Sequence, residues 1–337
     1  MHEASYYTRL SDQRTSCLLC PHNCIIHPGK KGICKARVNK NGVLYSEVFG
    51  RPVAMNTDPI EKKPLYHFYP GHQILSIGTN GCNLTCIFCQ NSEISQHSPV
   101  VSRIDPDIRA DEIISMAQLK QKNIGLAYTY NEPTVFFEYM VNLGAEIKNA
   151  GLKNVMVSNG FINEEPLNQL LKIIDAFNID LKSFNNEFYK KYTGSGLNPV
   201  LNTIKAIFKS GNHLELTFLV IPGVNDSPEE FDQMVDWIVN ETGMDTVLHI
   251  SRYFPQFQMS IPPTSFKKME LLFHIAKSKL NYVYLGNVSE SNSQNTFCPS
   301  CKSLLLKRNG FYTSNEGLDR NGLCQKCQSQ IIKYMTI

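Results

Sequence analysis

Six apolar runs of strand length, each followed by an amphipathic segment of helix length, constrain this chain more than any other feature. The runs are ILSIGT (74–79), IGLAYTY (124–130), NVMVSN (154–159), AFNIDL (176–181), LELTFLVI (214–221) and TVLHIS (246–251). All are short and rich in β-branched or aromatic residues, as buried strands are. The spacing predicts helices near 106–122, 134–150, 164–174, 198–210, 227–241 and 265–279. The fifth begins in DSPEEFDQMVDWIV, where a polar cap, an early proline and acids in the first turn mark a helix start. Repeated strand-helix units imply a parallel sheet with right-handed crossovers, here an α/β chain forming a partial (β/α)6 barrel. NYVYLGNV (281–288) could add a further strand.

A fold of this kind gathers its chemistry where the carboxyl ends of the strands meet the following loops. The unusual polar residues fall there. A three-cysteine loop follows the first strand, TYNEPT the second, SNGF the third, DLKS the fourth and PGVND the fifth, while HISRYF completes the sixth. The expected mouth is therefore lined by Cys82, Cys86, Cys89, Asn131, Glu132, Ser158, Asn159, Asp180, Lys182 and His249.

Eleven cysteines fall in groups of four, three and four. The N-terminus lacks the apolar run of a signal peptide and no stretch reaches the ~18 apolar residues of a membrane span, so a soluble cytoplasmic protein is expected. In a reducing compartment clustered cysteines point to metal ligation rather than disulfides. With 42% hydrophobic and 19% charged residues the chain is globular, not disordered. Lys and Arg (33) nearly balance Asp and Glu (30), so net charge makes no case for a nucleic-acid or membrane binder.

The two outer groups have enough thiolates to close a site. Cys298, Cys301, Cys324 and Cys327 form two CxxC knuckles with the spacing of a zinc ribbon. About 40 residues cannot bury enough apolar surface to fold alone, so zinc would serve as the core of a separately folded ribbon beyond the polar linker SESNSQNT (289–296). Cys17, Cys20, Cys24 and Cys34 have irregular gaps that admit zinc, the first reading, or an auxiliary 4Fe-4S cluster. The nearby KKGICKAR (30–37) reads as a solvated face, with phosphate contact as the alternative.

Only the middle group lacks a fourth ligand. Three thiolates on a 4Fe-4S cubane leave one iron open to a small chelator, such as an amino acid's amino and carboxylate groups. If that amino acid is S-adenosylmethionine, one transferred electron can cleave a carbon-sulfur bond and give a 5'-deoxyadenosyl radical. The alternative is a buried or zinc-bound trio borrowing a histidine such as His97.

Cys-x3-Cys-x2-Cys with Phe88 before the last cysteine resembles the radical S-adenosylmethionine (SAM) superfamily. DPIEKKPLYHFYPG (58–71), GCNLTCIFCQNSEISQ (81–96), YNEPT, SNGF and DLKS further resemble the radical enzymes of the AmmeMemoRadiSam system, which are similar to pyruvate formate-lyase activating enzymes. The resemblance spans Cys17 to Cys327. It implies that Asn131 and Glu132 receive the cofactor's ammonium, that Ser158 and Asn159 approach its ribose or carboxylate, and that Asp180 and Lys182 reach the mouth together with Lys182 facing its carboxylate. Phe88 and His249 would complete the cofactor's surroundings. Val157 stands where activating enzymes often place an acid that holds a monovalent cation, which weakens strict equivalence.

The expected organisation is an N-terminal Cys-rich segment (1–73), a radical SAM core (74–288) and a zinc-ribbon-like module (289–337). The expected activity is reductive cleavage of SAM and hydrogen abstraction from an unidentified substrate. It would need a low-potential electron donor, and the resemblance implies Memo-like and AMMECR-like protein partners. Alternatives are a glycyl radical enzyme activase and a noncatalytic, zinc-stabilised adaptor for nucleic acid or protein.

Overall fold

The computed structural model of the chain describes residues 1–99, 108–288 and 292–335. Eight strands lie side by side in chain order: β1 (Ala54–Pro59), β2 (Gln73–Gly78), β3 (Asn123–Tyr128), β4 (Lys153–Ser158), β5 (Ala176–Asp180), β6 (His213–Val220), β7 (Val247–Arg252) and β8 (Val283–Gly286). From β2 to β8 neighbours are parallel. Each crossover carries a helix: α1 (Ala110–Gln118), α2 (Phe137–Asn149), α3 (Glu164–Leu170), α4 (Leu197–Ser210), α5 (Pro228–Thr242) and α6 (Phe266–Lys277). This is the partial (β/α)6 barrel, lengthened by β8. Residues 106–107 of the first expected helix and 289–291 of the expected linker lie outside the described residues.

The period-2 pattern of β6 shows how the sheet sorts its faces. Leu214, Leu216 and Phe218 belong to the core shared with the helices. Glu215, Thr217 and Leu219 point the other way, into the barrel, because alternate strand residues face opposite sides. At α5, Ser227 caps the helix by accepting from Glu230 N at 3.2 Å, with Pro228 in the first turn.

β1 was not expected as a strand. It pairs antiparallel with β2 from Ala54 opposite Gly78 to Pro59 opposite Gln73. Its sequence, AMNTDP, has no alternation and ends in proline, which an edge strand tolerates. Beyond it, Pro64 to Phe68 crosses the inside of the barrel. Pro64 O accepts from Asn178 Nδ2 at 2.8 Å, and Tyr66 N and His67 N donate to Glu215 at 2.9 and 2.8 Å.

The N-terminal segment forms two small antiparallel sheets: His2–Glu3, Val43–Ser46 and Arg37–Lys40, then Tyr7–Arg9, Thr15–Cys17 and Ile25–Ile26. Arg37, within the run read as a solvated face, is turned inward and fully buried against Glu138. Its charge is neutralised there by the carboxylate, which a solvated reading of the run could not show.

At the other end Thr296–Phe297, Leu304–Asn309 and Tyr312–Asn315 form a small sheet. The expectation of a separately folded ribbon gives way to a shared core. Leu305, Leu306 and Leu318 pack in one cluster with Tyr66, Val247, Tyr282 and Tyr284 of the barrel. Buried Arg308 donates to Tyr66 O at 2.9 Å and lies 4.0 Å from the centre of the Tyr66 ring. Among the described residues no helix is long and apolar enough to cross a membrane.

Candidate active site

The three-cysteine loop begins where β2 ends, and the neighbouring strand end holds it. Asn131 Nδ2 donates to Gly81 O at 2.8 Å and to Thr79 Oγ1 at 3.1 Å, while Asn131 Oδ1 accepts from Thr79 N at 3.0 Å. Gly81 has φ +94°, and a Cβ there would stand 2.4 Å from Cys34 O. Glycine is required on both counts. Farther along, Thr85 N and Ile87 N donate to Thr193 O and Tyr192 O at 2.9 and 3.2 Å.

Cys82, Cys86 and Cys89 open onto a cavity of about 830 Å³. Phe88, Asn131, Glu132, Ser158, Asn159, Asp180, Lys182 and His249 line it as well, so every expected mouth residue reaches one space. His97, weighed as a fourth ligand, is exposed and stands outside that lining.

Glu132 is the most heavily bonded of these side chains. Its Oε1 accepts from Thr134 N (3.0 Å), Thr134 Oγ1 (2.7 Å) and Ser158 Oγ (2.8 Å), and its Oε2 accepts from Asn159 N (2.8 Å). Burial lifts its pKa, and these donors offset part of that rise. Asn159 in turn donates to Asn83 Oδ1 at 2.9 Å, beside Cys82. Glu132, Ser158 and Asn159 thus brace one another and the cysteine loop.

Asp180 and Lys182 share a face of the strand end, and Lys182 Nζ lies 2.8 Å from Asp180 Oδ2. Burial works against the ammonium, but Asp180 and Cys86 outweigh it and hold its pKa above the usual value. Burial pushes the Cys86 thiol up to about 12 and the Cys82 thiol well above its ordinary value. Bare, the thiols keep their protons; a bound cation must displace them.

His249 does more than fill the core. Its Nε2 lies 2.6 Å from Glu215 Oε2, and His213 Nε2 lies 2.9 Å from Glu215 Oε1. Burial would raise the Glu215 carboxyl, yet the two histidines hold it well below the usual range. The sequence reading passed over Glu215; a lone acid inside LELTFLVI was the signal. It passed over two more acids. Glu61 lines the cavity and accepts from Thr313 Oγ1 at 2.6 Å, while Asp58, behind the lining, accepts from the wall groups Lys63 Nζ at 2.7 Å and Tyr130 OH at 2.6 Å. Gly310 and Phe311, at the tip of the C-terminal hairpin, complete the lining.

The donor spacing distinguishes two kinds of cysteine set. In the C-terminal ribbon Cys298 Sγ lies 3.5 Å from Cys327 Sγ and Cys301 Sγ 3.6 Å from Cys324 Sγ, with all four sulfurs within 4.8 Å of one another. One tetrahedral ion with ~2.3 Å bonds wants sulfurs about 3.8 Å apart, so this set could hold a single metal ion. Among the described residues no other group of three or more such donors is that tight. The central triad is therefore too open for one ion and fits a polynuclear cluster, whose irons stand apart.

Residues 76–238 match the Radical SAM superfamily. An uncharacterized protein of Methanocaldococcus jannaschii is 39% identical over 336 residues, covering 98% of this chain and 99% of its own. The pyruvate formate-lyase-activating enzyme of Staphylococcus epidermidis is 22% identical over 167 residues, covering 48% of this chain and 66% of that enzyme. Among solved structures, Streptococcus suis SuiB bound to S-adenosylmethionine is similar in fold, with a TM-score of 0.50 at 15% identity, over 68% of this chain and 53% of SuiB.

Proposed function

Because residues 76–238 form a radical SAM domain, we propose that the chain cleaves S-adenosylmethionine reductively and uses the 5'-deoxyadenosyl radical to abstract hydrogen from a substrate. One observation carries the reading: three open-spaced thiols and the polar ends of successive parallel strands line a single cavity of about 830 Å³. Cys82, Cys86 and Cys89 would hold the 4Fe-4S cluster. Bound there, the cluster would supply the electron that cleaves SAM.

The chain's own residues prepare that cavity. Asp180 and Lys182 present a paired carboxylate and ammonium to it, suited to a zwitterionic amino acid. Asn131, Glu132, Ser158 and Asn159 fix the loop and strand ends, and Glu132 Oε2, with one protein donor, keeps capacity for an ammonium. His249, held by Glu215, and Phe88 close the remaining walls. The C-terminal thiols would carry zinc as a structural ion.

A glycyl radical enzyme activase is the second reading, favoured by the activating enzymes among the relatives. Memo-like and AMMECR-like proteins are proposed as partners, with a low-potential electron donor. The test is anaerobic reconstitution followed by assay of methionine and 5'-deoxyadenosine under a low-potential reductant. Equimolar products are expected. An iron-loaded protein that forms neither overturns the proposal.

A further inference from the structure

We propose that Cys17, Cys20, Cys24 and Cys34 hold a second 4Fe-4S cluster, closed by four protein thiolates and set against the back of the three-cysteine loop, in place of the zinc first expected there. This site lies outside the catalytic cavity and goes beyond the cleavage reaction. The four cysteines wall a small cavity of their own, together with Arg37, Asn83, Thr134 and Val135.

The spacing of the sulfurs argues first. The ribbon gathers its four within 4.8 Å, whereas the N-terminal four, like the central triad, are not so gathered among the described residues. Both arrangements occur in one molecule, so each calibrates the other. A single zinc draws thiolates to about 3.8 Å from one another. A cubane offers four irons at separate corners and keeps its thiolates farther apart.

A histidine stands beside the four thiols. His22 lines the cavity too, and its Nε2 donates to Asn83 O at 2.7 Å, so only its Nδ1 is left to meet a metal. The four thiols alone are enough to saturate a cubane and leave no iron open to SAM.

Arg37 shows that the site has room for a further acceptor. It is buried, donates from one terminal nitrogen to Cys17 Sγ at 3.8 Å and from the other to Glu138, and its Nε has no partner. A buried N–H without an acceptor is costly. Thiolates on a zinc ion can accept from such a donor, and a cluster adds inorganic sulfides to the acceptors on offer. Hydrogen bonds to cluster sulfurs also tune their potential.

The two cysteine sets share one wall. Gly81, one residue before Cys82, packs so closely on Cys34 that a Cβ would stand 2.4 Å from Cys34 O. Asn83, one residue after Cys82, lines the N-terminal cavity. A redox-capable centre would thus sit directly behind the loop that carries the triad.

Metal and sulfide analysis of the anaerobically reconstituted full chain, with EPR of the reduced protein, tests the site. The expected content is about eight irons and eight sulfides with one zinc. Replacing Cys20 and Cys24 by Ser should halve the iron and keep an EPR signal that shifts on adding SAM. Replacing Cys82, Cys86 and Cys89 by Ala should also halve it, leaving a signal indifferent to SAM. About four irons with two zincs in the wild type overturns this inference and leaves the catalytic reading standing, and that count needs no variant to fold. A triad variant with no iron at all overturns it too. Wild-type protein that takes up zinc and no iron overturns both readings.

Discussion

Ser158 Oγ donates to Glu132 Oε1 at 2.8 Å, joining the ends of β4 and β3 beneath the cysteine loop. Oε1 takes three donors and Oε2 one. Glu132→Gln must therefore turn an amide N–H toward another N–H or O–H, whichever way it is placed. The cost is about 1–3 kcal/mol. The variant should keep its iron, melt several degrees lower and bind SAM roughly tenfold more weakly, tenfold being about 1.4 kcal/mol. Thermal melting and cofactor titration check this; unchanged values in both would show that the carboxylate is dispensable.

Cys86 is buried at the cavity wall, where its thiol has no aqueous substitute. Cys86→Ala should lower the iron bound at the triad and abolish 5'-deoxyadenosine formation under reductant. Product analysis by chromatography decides, and turnover equal to wild type would remove the triad from the chemistry.

Arg308 fastens the ribbon to the barrel. It donates to Tyr66 O, Gln294 O and Thr296 Oγ1 at 2.9, 2.9 and 2.8 Å. Arg308→Ala leaves three buried acceptors short and a hole beside the Tyr66 ring, a loss of about 3 kcal/mol or more. Melting should fall, and protease should cut more readily near residue 290. Because the hairpin tip lines the cavity, deleting 290–337 should also impair SAM cleavage. A truncated protein with full basal cleavage would show that the ribbon wall is not needed for it.

His67 gives the fold an acid dependence. It is buried with Nε2 2.6 Å from Tyr284 OH. Burial, helped by Arg308, pushes its pKa down to about 3 against the pull of Glu215. The unfolded chain then binds the proton below about pH 6.5 while the folded one does not, so stability falls with pH from about 6.5 toward 3. His67→Gln, neutral throughout, should flatten the pH 6.5–5 part of that slope. Urea unfolding at stepped pH measures it, and identical slopes would place the acid sensitivity elsewhere.

Seven parallel strands and six helices were legible because each is written in local apolar periodicity and capping. The mouth residues were legible for a related reason: a polar residue at the end of an apolar run has few other uses. β1 was hidden because AMNTDP has no pattern of its own and is a strand only through its pairing with β2. Glu215 joins His67, His213 and His249, and Arg308 reaches Tyr66 across 242 positions. Such partners are fixed by topology, which periodicity does not encode.

Phe311 and Gly310 line a cavity whose other walls lie at or before residue 294. A chain leaving the ribosome at roughly 5–20 residues per second has its whole barrel out before that hairpin can close on it. For about a second or more the three central thiols face an unfinished vestibule, open to whatever machinery delivers iron and sulfide. The order of synthesis thus makes the hairpin the last wall to arrive, and a chain stalled between 294 and 310 would leave the three thiols behind an incomplete wall.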